Sequence, residues 1–125
     1  MSDRSHLFNC FSASALGQEL SKRIATGSAV SCANVDAAGW AHLAAALRAE
    51  TGRTVVLVTA QLKQQETLQQ DVETWLRLLD VDTPARFYAD WEVLPHEDKL
   101  PHADALSERL ETLQALADGA VPVIT

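Results

Sequence analysis

Apolar residues recur along this chain in two rhythms, one of about four residues and one of short unbroken runs. Leu16, Leu20 and Ile24 repeat every four positions, which predicts a helix opened by Ser12 or Ser14 and closed at Gly27. Ala29–Ala33 is small and apolar enough for a buried strand. Asn34 or Asp36 then opens a second helix with Trp40, Leu43, Ala44 and Leu47 on one face, ending at Gly52. Thr54–Thr59 reads TVVLVT, β-branched and apolar on both faces as a central parallel strand should be.

From Gln61 to Leu79 a third helix gathers Leu68, Val72, Trp75, Leu76 and Leu79 on one stripe. Thr83-Pro84 breaks it, and Ala85–Ala89 predicts a further strand. A polar loop follows. Asp104–Asp118 carries Leu106, Leu110, Leu113 and Leu116, a fourth helical stripe taken as core-facing, and Val121–Ile124 is a last strand. This alternation predicts one α/β domain over residues 1–125, a three-layer parallel sheet flanked by helices, with Thr54–Thr59 mid-sheet. The last strand lacks an evident cover on one face, so the chain is expected to be an N-terminal fragment of a longer multidomain protein.

Charge narrows the function classes. The formal net charge is -7, with ten Lys and Arg scattered along the chain, whereas gripping a nucleic-acid backbone needs clustered cations. Autonomous DNA binding is therefore not expected. Two cysteines, Cys10 and Cys32, form neither a disulfide framework nor a zinc pattern. No apolar run approaches membrane-spanning length and no signal peptide is evident, so the expected compartment is the cytoplasm.

In a parallel sheet, ligands bind at the carboxyl ends of the strands. After the first predicted strand the sequence is Ser31-Cys32-Ala33-Asn34-Val35-Asp36. A phosphate cradle needs glycines, so that backbone amides can face the phosphates, and then a lysine. No glycine lies between Gly27 and Gly39, and the three lysines Lys22, Lys63 and Lys99 lie elsewhere. ATP or dinucleotide chemistry by this chain alone is excluded on that ground, and no cofactor is expected. Cys32 near a helix start could be an activated thiolate, but the phosphatase arrangement needs an Arg six positions on, where Ala38 stands. A packed small residue is the simpler reading.

The loop before the fourth helix holds an echo, Leu94-Pro95-His96-Glu97-Asp98 and Leu100-Pro101-His102-Ala103-Asp104. Imidazoles among carboxylates can ligate a metal, yet this spacing matches no strong signature, and a solvated loop or helix-capping role is the simpler reading. Asp90 and Glu92 lack the nucleophile or oxyanion donors that would make them an acid/base pair. Between Asp90 and Asp104 five acids face Lys99, a net of -4 within the chain's -7. Trp91 amid this charge is either a buried plug that pins the loop or an exposed anchor, and the plug is expected.

Asp90-Trp91-Glu92-Val93-Leu94-Pro95, Pro101-His102-Ala103-Asp104 and Ser107-Glu108-Arg109-Leu110-Glu111-Thr112-Leu113 resemble the N-terminal region of bacterial transcription-repair coupling factor (Mfd). The shared pattern is DWE-x-LP, a short loop, PH-x-D, then S-x-RL-x-TL. It runs through Asp90, Trp91, Glu92, Leu94, Pro95, His102, Asp104, Ser107 and Arg109. Thr54–Glu66 extends it more weakly backwards.

The resemblance implies a helicase ATPase-like domain, similar to the excinuclease protein UvrB, that has lost its nucleotide site. The family is a DNA translocase that uses ATP to dislodge stalled RNA polymerase and recruits excision repair through the excinuclease protein UvrA. Its expected partners are the following domains of the same chain and, for the whole protein, UvrA, RNA polymerase and double-stranded DNA. This chain departs from the pattern where His96 stands in place of a frequent Tyr, and where Ser31–Asp36 keeps no glycine. A UvrB-like helicase and a small α/β enzyme using His96 and His102 stand as alternatives.

Overall fold

A computed structural model describes residues 6, 10–91, 93–94, 96–120 and 122–125. Among the described residues the elements with full bounds follow in the order α1 (Ala15–Ala25), α2 (Ala37–Thr51), β1 (Val55–Val56), α3 (Leu62–Leu78), β2 (Ala85–Arg86), α4 (Ala103–Ala117) and β3 (Val123–Ile124).

The helix ends follow from local chemistry. The Ser14 Oγ accepts the Gly17 N–H at 3.0 Å to open α1, while Lys22 and Arg23 occupy its negative end. Asp36 opens α2, its Oδ1 accepting the Gly39 N–H at 2.7 Å. Gly52 closes α2 at φ +66°, a left-handed conformation, and its N–H returns to the Arg48 carbonyl at 3.0 Å. Gly17 answers a different need, because a Cβ there would stand 2.1 Å from the Phe11 carbonyl oxygen.

The core lies between α2, α3 and one face of the sheet. Ala41, Ala44 and Ala45 of α2 pack with Leu68, Val72 and Leu76 of α3 and Val123 of β3. The alanines let α2 come close to α3, whose longer side chains fill the space. Val55 and Ala85 add to this core from β1 and β2.

The sheet is parallel with order β1-β3-β2, pairing Val55 and Ala85 with Val123, and Val56 and Arg86 with Ile124. Its ladder runs past the strand ends: the Leu57 N–H donates to Ile124 at 2.8 Å, Tyr88 to Thr125 at 2.9 Å, and Thr125 to Arg86 at 2.9 Å. Passing from β1 to β2 and back to β3 reverses direction across the sheet. Right-handed crossovers then put α3 and α4 on opposite faces. The contacts agree, since α3 covers the Val55 face whereas Arg109 of α4 shares a cleft with Val56 and Ile124.

Five expectations are corrected. Residues 29–33 form no strand: Val30 is exposed, and this run of small side chains offers little area to bury against a neighbour. The strand within Thr54–Thr59 lies at an edge of the described sheet rather than its middle, with Val56 and Val58 exposed. The central strand is β3, where Val123 is fully buried and Ile124 nearly so, and not a half-covered last strand. The leucines of α4 are not core: Leu106, Leu110, Leu113 and Leu116 are 36–56% exposed, and the buried side chain of that helix is Thr112. Leu16 of α1 is likewise exposed while Leu20 is buried. Of the expected last strand, Val121 lies outside the described residues. Among the described residues no helix is long and apolar enough to cross a membrane.

Candidate functional site

The carboxyl ends of the three parallel strands open onto a cleft of about 470 Å³. The segment after β1 supplies Val58, Thr59 and Gln61, that after β2 supplies Tyr88, Ala89, Asp90 and Trp91, and β3 ends there at Thr125. Arg109 of α4 reaches in from the side.

Arg109 is the hub. Its guanidinium donates to the Ala89 carbonyl and, at 2.9 Å, to the Tyr88 hydroxyl. The same group lies 4.1 Å from the centroid of the Tyr88 ring and 4.4 Å from that of Trp91. A planar, weakly hydrated cation suits this role, since it can stack on aromatic faces and donate in its own plane. Nearby, Asp90 folds its Oδ1 onto the Trp91 N–H at 2.8 Å.

A second clip was not foreseen in the sequence. The Gln65 amide donates to the Tyr88 carbonyl at 3.0 Å and to the Thr125 carbonyl at 2.8 Å, tying α3 to the ends of β2 and β3. Gln65 is 9% exposed. Its sequence signal is its place on the α3 stripe, three before Leu68 and seven before Val72, where an apolar residue belongs. Thr112, buried on α4, donates to the Phe87 carbonyl at 3.3 Å, and its place off the leucine stripe gives no sequence signal of that burial.

The structure thus brings together Asp90, Trp91 and Arg109 of the pattern that runs from Asp90 to Arg109. Trp91 is 46% exposed, which overturns its reading as a buried plug: its ring rests on the guanidinium, not in the core. Leu94 is exposed and its carbonyl accepts the Glu97 N–H at 2.9 Å in a turn. His102 sits at the N-cap of α4, where its carbonyl, not its ring, takes the Leu106 N–H at 3.1 Å. Asp104 lies in the first turn of α4, favourable to the helix dipole, and Ser107 is exposed further along. Glu92 and Pro95 lie outside the described residues. His96 and His102 are both exposed, and no group of three or more His, Cys, Asp or Glu among the described residues is placed to hold a metal.

Residues 31–36 are not at this cleft. Ser31, Cys32, Ala33 and Val35 instead line a cavity of about 450 Å³ against Leu20 and Arg23 of α1 and His42 of α2. Asn34 adopts φ +61°, and Asp36 places its carboxylate on the Gly39 N–H in the first turn of α2. An anion of the chain itself thus occupies the position a phosphate would take at that helix. Cys32 is a half-buried free thiol. Deeper, His42 lies 4.4 Å from the Trp75 ring, centroid to centroid, and burial pushes its pKa below the ordinary value.

No protein-family model, no curated protein and no solved structure matches this chain.

Proposed function

We propose that this chain is the non-catalytic first domain of a transcription-repair coupling factor. In this reading it is a degenerate helicase ATPase-like unit that supports the recruitment domain after it and packs the module against a distant motor. The observation that carries the reading is the meeting of Arg109 with Ala89, Tyr88 and Trp91. The two halves of the pattern that resembles the family are thereby joined, through Trp91 and Arg109, as a structural clasp between the segment after β2 and α4.

The Asp36 cap supports the loss of a nucleotide site, because a phosphate at the start of α2 would meet a carboxylate already bound there. The net charge of -7 supports leaving double-stranded DNA and ATP to other parts of the protein. UvrA and RNA polymerase are then partners of the whole protein rather than of this domain alone.

The test is to purify the complete product of the gene that encodes this chain and present it with RNA polymerase stalled on DNA. ATP-dependent release of the polymerase is the expected result. A complete protein that releases no polymerase and carries no translocase motor would sink the proposal.

A further inference from the structure

The main core is built without α1. Its buried cluster and the side chains packed against that cluster come from α2, α3, the strands and their adjoining segments, and none comes from residues 10–28. This N-terminal arm rests on α2 instead, where Leu20 is buried and the Ser21 hydroxyl donates to a Glu50 carboxylate oxygen at 2.6 Å. Between the arm and α2 lies the cavity of about 450 Å³. An element seated over a cavity and outside the main core belongs to the low-stability end of a fold, where local opening precedes global unfolding.

Phe11 couples the arm to a single side chain of α2. Its carbonyl accepts the Ser14 N–H at 3.0 Å and the Ser14 hydroxyl at 2.7 Å, and Ser14 caps α1, so Phe11 and α1 shift together. The Phe11 ring meets the His42 ring edge-on, with centroids 6.0 Å apart and planes at 81°. His42 in turn contacts Trp75 of α3 at 4.4 Å. One imidazole thus stands between the arm and the core.

That imidazole carries a dry nitrogen. The His42 Nε2 is buried and has no hydrogen-bond partner among the described residues. A neutral ring tolerates this, because one of its nitrogens is only an acceptor, whereas an imidazolium has N–H donors on both nitrogens and a full charge. Protonation therefore puts a charged donor where neither water nor an acceptor meets it. The Trp75 ring attracts a cation, yet burial sets the balance and holds the pKa below its ordinary value.

The surrounding charges do not offset this cost. From α1, Glu19 and Arg23 line the cavity with His42, and they pair with each other at 2.7 Å. The segment before α2 contributes the Cys32 thiol. From α3 the contact is the Trp75 ring, while Asp71 lines a different cavity, with Trp40 and Val58. On α2 itself the positions one turn away are Ala38, Gly39, Ala45 and Ala46.

We propose that His42 is a pH-sensitive latch: neutral, it seats Phe11 and α1 on α2, and protonated, it releases residues 10–25 while the core between α2, α3 and the sheet stays folded. Release lets water reach Nε2 and opens the cavity that Cys32 lines. The closed arm is favoured above the open-state pKa of about 6.5 and is lost as pH falls below it toward the lower pKa of the closed form. Phe11 and His42 lie outside the pattern that carries the functional reading, so the latch is independent of it.

The experiment is hydrogen exchange of the intact protein, followed peptide by peptide at pH 7.5 and pH 5 and corrected for intrinsic rates. Protection of α1 should fall at least about threefold, and at most about thirtyfold, the limit that an open-state pKa near 6.5 sets over this interval, while α2 and α3 keep theirs. His42→Phe, or His42→Gln where the larger ring disturbs α2, should leave α1 equally protected at both pH values. Phe11→Ala should free α1 at both and spare the core. An α1 protection that ignores pH in the parent overturns the proposal. So does simultaneous loss from α1 and the core, in the parent at pH 5 or in Phe11→Ala, and so does an unchanged pH response in the His42 variant.

Discussion

The Arg109 guanidinium donates to the Tyr88 hydroxyl at 2.9 Å and lies 4.1 Å from the centre of the same ring. One cation thus fixes the segment that leaves β2 to the middle of α4. Arg109→Ala should remove two hydrogen bonds and two ring contacts at once, leaving the Ala89 carbonyl without this donor. The expected loss is about 2 to 3 kcal/mol, read as a lower urea midpoint with unchanged slope. Arg109→Lys should recover only part of it, because an ammonium cannot stack and donate in one plane.

Trp91 stands half out of the surface. Trp91→Ala should therefore cost about 1 kcal/mol, the value of an exposed cation–π contact with some apolar burial. Val72→Ala, at a fully buried core position, should cost about 2 to 3 kcal/mol. Chemical denaturation of both variants checks the order, and a larger loss at Trp91 would return it to the role of a core plug.

Gln65 answers two carbonyls with one amide group. Gln65→Leu keeps the volume but leaves the Tyr88 carbonyl without a side-chain donor and Thr125 with one donor fewer. A cost of about 1 to 3 kcal/mol is expected, despite the gain in apolar character. A variant as stable as the parent would show that water replaces the amide.

Burial holds His42 below its ordinary pKa, so the unfolded chain binds this proton at higher pH than the native one does. The stability is present above the unfolded value of about 6.5 and is lost as pH falls below it toward the lower native pKa. Subtracting the pH profile of a His42→Gln variant from that of the parent should leave a component with this sign. A flat difference between the profiles contradicts it.

Helices were legible from period and caps. Asp36, Ser14 and Gly52 end their helices as their side chains or backbone freedom dictate, and these signals are local. Strand order was not legible, since whether Thr54–Thr59 lies mid-sheet depends on where β3 inserts, a contact between residues 55 and 123. The α4 leucines misled for a related reason: period identifies an apolar flank but not whether anything covers it. At the cleft, Arg109 and Trp91 were singled out by the resemblance. Gln65 and Thr112 act through long-range backbone acceptors that no spacing along the chain reveals.

Titration of the 125-residue chain with Mg-ATP, followed through its amide NMR signals, tests the central claim most directly. A scaffold domain whose α2 start is capped by Asp36 should show no saturable shift at residues 31–39 up to millimolar nucleotide, on the order of the weakest specific affinities. Saturable shifts at those residues, growing in an Asp36→Gly variant, would contradict the account and make this chain a nucleotide-binding domain.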